Sequence, residues 1–181
     1  MLKCRIISPK RLLGCSLFIH ARDTPIQINI VMSLLETRKT TTADFDFIYK
    51  LHCQTFYSYV EQTWGWKESV QFNEMREEFD DSLFEIICYQ GEDVGVISVI
   101  SQENALFLNY IAILPTHQKQ GIGTQLILMV LEQATHRGFS VRLNVLRVNP
   151  AKALYERLGF EVVGSDQDKY FMEWRSALTH L

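Results

Sequence analysis

A pair of glycines between an apolar strand and an amphipathic helix constrains this chain more than any other feature. The segment Gln118–Thr124 has the sequence Q-K-Q-G-I-G-T and is called the glycine turn below. It follows Ala105–Leu114, an apolar run that predicts a buried strand, and leads into Ile122–Arg137, where apolar residues recur at helical spacing. Glycines at such a junction let the main chain approach a ligand, and the helix dipole favours negative charge there. The glycine turn therefore predicts a phosphate site.

Two common phosphate-binding patterns are absent from this turn. The nucleotide-triphosphate loop has a lysine after its last glycine, whereas Lys119 precedes both glycines. The dinucleotide-binding pattern needs a third glycine, and Leu126 occupies that position. On these seven residues alone, a tight turn without any ligand remains an alternative.

A second motif lies further along the chain. Val141–Val148 alternates like a strand, and Asn149-Pro150 supplies a cap and a first residue for a helix that ends at Gly159. The string Asn149–Phe160, N-P-A-K-A-L-Y-E-R-L-G-F, closely resembles the second signature of the GNAT superfamily of N-acetyltransferases. The glycine turn resembles the pyrophosphate loop of the same superfamily, Q/R-x-x-G-x-G/A. The resemblance covers roughly residues 34–174.

The resemblance implies an α/β fold with a mixed α+β sheet and helices on both faces, the GNAT acyl-CoA N-acyltransferase fold. The expected order is βααβββαβαββ. The central parallel strands, Ala105–Leu114 and Val141–Val148, are expected to splay apart at the cofactor site. The other elements are expected at residues 34–40, 67–79, 84–89, 94–101, 160–163 and 169–174, with a first helix marked by Phe45, Ile48, Leu51 and Phe56. Val70, Phe72, Met75 and Phe79 are the expected apolar positions of the second helix.

By the same resemblance, acetyl-CoA is the co-substrate. Its pantetheine arm would pair with the main chain at Ile111 and Ile113, and the N–H groups of the glycine turn would hold the pyrophosphate. Asn149 would contact the cofactor or cap its own helix, two compatible roles. No metal is implied. The implied cofactor-binding residues are Ile111, Ile113, Gln118, Lys119, Gln120, Gly121, Ile122, Gly123, Thr124 and Asn149.

Tyr155 occupies the position of the general acid in this family. A phenol with a pKa near ~10 can protonate a departing thiolate whose thiol has a pKa near ~8.5. The alternative is a tyrosine that only packs between helix and sheet. The sequence does not single out a general base, because Glu61, His52, His117 and a water relay are all candidates. No base is needed if the amine arrives neutral.

The acceptor site is expected where the first two helices connect. Five aromatic rings and one carboxylate fall within Phe56–Trp66, which suits a cationic or amine-bearing small molecule. Alternatively, most of these rings pack the helices against the sheet. The expected acceptor-binding residues are Tyr57, Glu61, Trp64, Trp66 and Asn109.

Charge divides the chain at Met32. Five basic residues and one acidic residue precede it, whereas the remainder contains 13 basic and 20 acidic residues. Residues 1–31 are expected to be a weakly packed basic extension, and residues 32–181 a single N-acetyltransferase domain. The acidic domain disfavours a nucleic-acid partner. Scattered cysteines and the lack of a membrane-length apolar run favour a cytoplasmic protein without a membrane partner, and a homodimer is compatible with the sequence.

The predicted activity is transfer of the acetyl group of acetyl-CoA to a primary amine, here expected on a small molecule, by direct transfer in a ternary complex. Two alternatives remain. A regulatory module could bind acyl-CoA without catalysis, although Tyr155 and the aromatic segment count against this. A protein acetyltransferase acting on N-termini or lysines would need an open groove.

Overall fold

The computed structural model describes residues 34–176, so the predicted extension over residues 1–31 lies outside the described part. The helices and strands follow one another in the predicted order, βααβββαβαββ. They are β1 (Leu35–Lys39), α1 (Phe45–Trp64), α2 (Glu68–Glu78), β2 (Glu85–Tyr89), β3 (Glu92–Ser101), β4 (Ala105–Ile113), α3 (Ile122–Arg137), β5 (Ser140–Leu146), α4 (Ala151–Arg157), β6 (Glu161–Ser165) and β7 (Lys169–Trp174).

The strands form one mixed sheet in the order β1-β2-β3-β4-β5-β7-β6, and β4 and β5 are the parallel pair. Helices cover both faces, as predicted. On one face α3 and α4 pack against the sheet through a cluster that includes Leu126, Val130 and Leu108. On the other face α1 and α2 pack through Ile48 and Met75. Fully burying side chains of this kind contributes roughly 1.5–3 kcal/mol each, so two apolar layers hold the sheet between its helices.

The second helix differs from its predicted pattern. Met75 is buried, but Val70 is 42% exposed, and the polar Gln71 takes a buried position instead. Gln71 is tolerated there because its side-chain oxygen lies 3.2 Å from Nε2 of the buried His52. The prediction from the apolar residues of α2 was therefore wrong about which side of the helix faces the core.

The strands β4 and β5 separate halfway along their length, which confirms the predicted splay. They pair only between residues 105–108 and residues 140–143. At the same point β4 contains a bulge: Ser98 of β3 pairs with Tyr110 and Val99 pairs with Leu108, which leaves Asn109 as an extra residue. A bulge bends its strand and increases the local twist. Beyond it, β4 pairs with β3 alone and β5 with β7 alone, so a gap opens between them.

No helix within residues 34–176 is long and apolar enough to cross a membrane. The same residues contain no grouping of three or more His, Cys, Asp or Glu side chains with the geometry of a metal site.

Candidate active site

A cleft of about 640 Å³ opens where β4 and β5 separate. Its walls come from α1, β4, the glycine turn, β5, α4 and the first residue of β7. The separation thus brings together side chains that lie as far apart in the chain as His52 and Lys169. Of the residues predicted from the sequence to bind or catalyse, those that line the cleft are Trp64, Asn109, Ile111, Ile113, Gln118, Lys119, Gly121, Gly123, Thr124, Asn149 and Tyr155. Two candidate bases, His52 and His117, also line it.

The glycine turn directs main-chain N–H groups into this cleft. Gly121 adopts a left-handed conformation, with φ of 85°, as the residue that caps α3, and Lys119 is also left-handed, with φ of 61°. The first-turn N–H groups of residues 122–124 have no main-chain acceptor within residues 34–176, and no side chain caps them. Free amides at the positive end of a 16-residue helix are favourable to an anion.

Two side chains of the turn brace it from within. Gln118 Nε2 donates to the carbonyl oxygen of Ile113 at 2.9 Å, and Gln120 Nε2 donates to the carbonyl of Thr116 at 3.0 Å. The side chain of Ile122 is 1% exposed and belongs to the core beneath α3. Gln120 and Ile122 therefore do not line the cleft with their side chains, and only their main chains are available to a ligand.

One edge of β4 faces the gap with main-chain groups that have no partner strand, although one of them, the Ile113 carbonyl, accepts from the side chain of Gln118. The N–H of Leu114 donates to Val94 of β3 at 2.8 Å, and main-chain groups alternate in direction along a strand. The N–H and carbonyl groups of Ile111 and Ile113 therefore point away from β3, towards the gap. This edge can accept an extended ligand as an added strand.

Tyr155 reaches the cleft from α4. Its ring is 7% exposed and lies edge-on to Phe160, with 5.7 Å between ring centroids. Burial raises the pKa of the Tyr155 phenol to about 12, and its hydroxyl has no hydrogen-bond partner among the described residues. The start of α4 is fixed by Asn149, whose Oδ1 accepts the N–H of Ala151 at 2.9 Å. Asn149 thus has the capping role predicted for it while also lining the cleft.

His52, one candidate for a general base, lies in the wall contributed by α1. Its Nδ1 is 3.1 Å from the hydroxyl of the buried Tyr110, and Phe56 stacks on its ring at 5.2 Å. Burial lowers the pKa of His52 and raises that of Tyr110, so both are neutral near pH 7. If Gln71 accepts the Nε2 proton, the Nδ1 lone pair accepts the tyrosine proton and is not free for a substrate.

The cleft wall formed by α1 differs from the one expected at the acceptor site. Because α1 continues unbroken to Trp64, side chains three and four positions apart share one face. That face lines the cleft, whereas Tyr57 is 51% exposed and packs on Trp66. The Glu61 carboxylate accepts the main-chain N–H of Trp66. Tyr57, Glu61 and Trp66 therefore lie outside the cleft lining. The lining side chains of α1, called the aromatic wall, are His52, Thr55, Phe56, Tyr59, Val60 and Trp64.

One lining residue from the far end of the chain carried no sequence signal. Trp64 donates its indole N–H to the Asp168 carboxylate at 2.9 Å, which ties the end of α1 to the loop before β7. Lys169 follows directly, lines the cleft, and holds its ammonium 5.7 Å from the centre of the Trp64 ring. These contacts join residues about a hundred positions apart.

A sequence model of the acetyltransferase (GNAT) family matches residues 45–160, more than half of the chain. The chain belongs to the GNAT family. This confirms the resemblance drawn from the two motifs, and the protein is accordingly an acetyl-CoA-dependent N-acetyltransferase.

Solved GNAT structures share its fold at low identity. The PaiA N-acetyltransferase of Thermoplasma acidophilum, in complex with coenzyme A, is 19% identical with a TM-score of 0.65, over 78% of this chain and 99% of its own. The ribosomal-protein-S18-alanine N-acetyltransferase of Escherichia coli is 19% identical (TM-score 0.58, 78% and 94% covered). The spermidine/spermine N-acetyltransferase SpeG of Vibrio cholerae, in mutant forms, is 22% identical (TM-score 0.57, 81% and 96% covered). A search of curated proteins gives no match.

Proposed function

We propose that this GNAT enzyme transfers the acetyl group directly from acetyl-CoA to a primary amine of a small molecule, with both held in the cleft between β4 and β5. The observation that supports this most strongly is the cleft itself. The anion site of the glycine turn, the unpaired edge of β4 and the aromatic wall all line one space of about 640 Å³. That volume is typical of a small-ligand site. The coenzyme A bound in the PaiA complex supports the choice of acetyl-CoA as co-substrate. The name of SpeG, a spermidine/spermine N-acetyltransferase, supports a small amine as acceptor.

In the proposed complex the pyrophosphate lies on the free amides of residues 122–124, with the Thr124 hydroxyl as an additional donor. The pantetheine arm runs along β4 and pairs with the main-chain groups of Ile111 and Ile113. The thioester then lies near the Asn109 bulge. Asn109 and the aromatic wall face it from the acceptor side, so Trp64 and Asn109 are the two sequence-predicted acceptor residues that this arrangement uses.

The proposed reaction is a single acyl transfer. The neutral amine nitrogen attacks the thioester carbonyl carbon and forms a tetrahedral intermediate. Its collapse breaks the carbon–sulfur bond, and the departing coenzyme A thiolate takes the phenolic proton of Tyr155. The attacking nitrogen releases its extra proton to water, and water returns a proton to the phenolate, so that the products are the amide and the free coenzyme A thiol. Holding both reactants in one cleft replaces a bimolecular encounter by a fixed geometry. The raised pKa keeps the Tyr155 phenol protonated until the thiolate forms, and it also makes transfer of its proton to the thiolate less favourable than it would be from an ordinary phenol.

No side-chain base is assigned to the amine. The described residues that line the cleft include neither aspartate nor glutamate. Glu61 lies outside the cleft, the Nδ1 of His52 faces the Tyr110 hydroxyl, and His117 contacts Thr116 at 3.0 Å. We therefore propose that the amine loses its proton to water before it attacks. The logarithm of kcat/KM should rise linearly with pH up to the pKa of the acceptor amine, without an inflection near that of histidine.

The test combines calorimetry of acetyl-CoA binding with release of free thiol against a panel of amines. Binding together with thiol release on a small amine is expected. Binding with release only on a peptide N-terminus or a protein lysine would refute the small-molecule acceptor. Absence of binding would refute the assignment of the glycine turn.

A further inference from the structure

The charges that line the cleft are all of one sign. Three full cations line it, and no carboxylate does among the described residues. Lys119 belongs to the glycine turn and Arg157 ends α4, so both lie where the anionic cofactor is proposed to bind. Lys169 lies on the opposite side of the cleft, beside the aromatic wall.

Lys169 is held at this position by its neighbours. It begins β7, pairs with Leu146 of β5, and its ammonium lies over the ring of Trp64. It forms no ion pair with any residue between 34 and 176. The adjacent Asp168 does not line the cleft, and its carboxylate accepts the indole proton of Trp64. The pKa of the exposed Asp166, which does not line the cleft, is lowered by the main-chain N–H groups of Asp168 and Lys169 and, to a smaller extent, by the ammonium of Lys169. A half-buried ammonium without an ion pair among residues 34–176 therefore faces the acceptor side of the cleft.

We infer that the acceptor is a primary amine that also carries a carboxylate on an aromatic or apolar body, and that Lys169 binds this carboxylate. The inference rests on the proposed function and narrows its substrate class. A carboxylate of the acceptor would form with Lys169 the close ion pair that no residue between 34 and 176 forms, through a charge-assisted hydrogen bond. A polyamine would place further positive charge beside Lys169 with no carboxylate in the lining to offset it.

The rest of the acceptor side suits the body of such a molecule. Phe56, Tyr59 and Trp64 offer ring faces, and the hydrogen-bonded pair of His52 and Tyr110 is neutral. Aromatic faces contribute apolar contact without adding charge. Lys169 is thus the group on this side that can distinguish a carboxylate from its uncharged counterpart.

Product-like ligands test the inference without any turnover. In protein saturated with coenzyme A, calorimetry would compare N-acetylphenylalanine with its amide, and 4-(acetamidomethyl)benzoate with its amide. The two pairs place the carboxylate at different distances from the acetylated nitrogen. At least one acid should bind about tenfold or more tightly than its amide, as expected for a hydrogen bond between charged groups. Equal binding of acid and amide in both pairs would overturn the inference.

Variants of Lys169 test whether the preference for the acid over its amide depends on this lysine rather than on another charge. Lys169→Met should abolish the preference for the acid, Lys169→Arg should retain part of it, and Lys169→Glu should reverse it. Lys50→Met is the matched control, because Lys50 is an exposed residue of α1 outside the cleft lining. A loss of coenzyme A affinity in Lys169→Met, with the acid preference unchanged, would instead assign Lys169 to the cofactor and overturn the inference.

A kinetic comparison distinguishes failure of this inference from failure of the proposed function. Thiol release would be measured with phenylalanine, phenylethylamine, 4-(aminomethyl)benzoate, 4-methylbenzylamine and spermidine. A better kcat/KM for spermidine or the uncharged amines overturns the carboxylate preference but leaves the acetyltransferase function intact. Lys169-dependent binding of an acid without thiol release from any amine supports the carboxylate site and counts against the proposed small-amine reaction.

Discussion

Replacing Tyr155 by phenylalanine removes a single oxygen atom and separates the two roles considered for this residue. The ring contacts Phe160 edge-on at 5.7 Å, and a phenylalanine keeps that contact. The hydroxyl has no hydrogen-bond partner among the described residues, so its removal leaves no donor or acceptor unpaired. The free energy of unfolding should therefore change by less than about 1 kcal/mol.

The effect on catalysis should be much larger. Without the phenol the thiolate must leave unprotonated or wait for water, and loss of a general acid typically costs a factor of about 100 to 10,000. A 100-fold fall in kcat corresponds to about 2.7 kcal/mol of activation free energy. Because burial raises the pKa of Tyr155 to about 12, the wild-type enzyme should show no loss of kcat through ionisation of this phenol between about pH 7 and 10.

Thiol release at saturating acetyl-CoA gives kcat, and calorimetry gives cofactor affinity in the same preparation. Tyr57→Phe is the control, because that ring is half exposed and lies outside the cleft lining. An unchanged kcat in Tyr155→Phe would refute the role as acid and leave only packing. A normal kcat with weakened cofactor binding would show that the hydroxyl contacts the cofactor rather than protonating the thiolate.

At the glycine turn, Gly121→Glu should abolish acetyl-CoA binding without unfolding the protein, because a carboxylate would enter the anion site. Gly121→Gln carries the same strain at φ of 85° and a similar size, so calorimetry showing equal loss in both variants would contradict the role of charge. In the sheet, Gly95→Ala should lower the free energy of unfolding by about 2 kcal/mol or more, since the added Cβ would lie 2.4 Å from the carbonyl oxygen of Ala112. Ser98→Ala removes a buried hydroxyl that has no hydrogen-bond partner in the described part of the chain, so it should leave stability unchanged or higher in urea denaturation. A loss as large as that of Gly95→Ala would contradict the steric argument. Burial lowers the pKa of His52 in the folded state, so its contribution to stability is present above the unfolded pKa of about 6.5 and is lost as pH falls. The advantage of wild type over His52→Phe in urea unfolding should therefore shrink between about pH 7 and 5, and a constant difference would show that His52 is not neutral by burial.

The features that could be predicted from the sequence are those fixed by neighbouring residues. The glycine turn requires a left-handed residue at the start of α3, and Gly121 supplies it with φ of 85°. The helix ends at Gly138, which is also left-handed. Such local requirements leave a direct mark in the residue types, so the order of the elements and the glycine-capped start of α3 followed from them.

The aromatic wall shows why the acceptor side was harder to predict. The sequence places Phe56–Trp66 within the first two helices and their connection but gives no end for the first helix, since no glycine or proline interrupts the segment before Gly65. In the structure α1 continues to Trp64, and its helical period turns Phe56 and Tyr59 into the cleft and Tyr57 away from it. The absence of a helix-breaking glycine or proline before Gly65 was the sequence feature that indicated a continuous helix. Lys169 left none, because its contact with Trp64 crosses most of the chain.

The bulge at Asn109 connects these local and distant features. In a regular strand Leu108 and Tyr110 would face the same side, and Ile111 would face the other. The extra residue changes this alternation. Leu108 and Ile111 both pack beneath α3, whereas Tyr110 joins the cluster under α1 and meets His52. The bulge also lies where β4 loses β5 as a partner. One asparagine in an apolar strand thus separates the two halves of the cleft. Beyond it lies the edge of β4 along which we propose that the cofactor binds, and Tyr110 closes the wall on the proposed acceptor side.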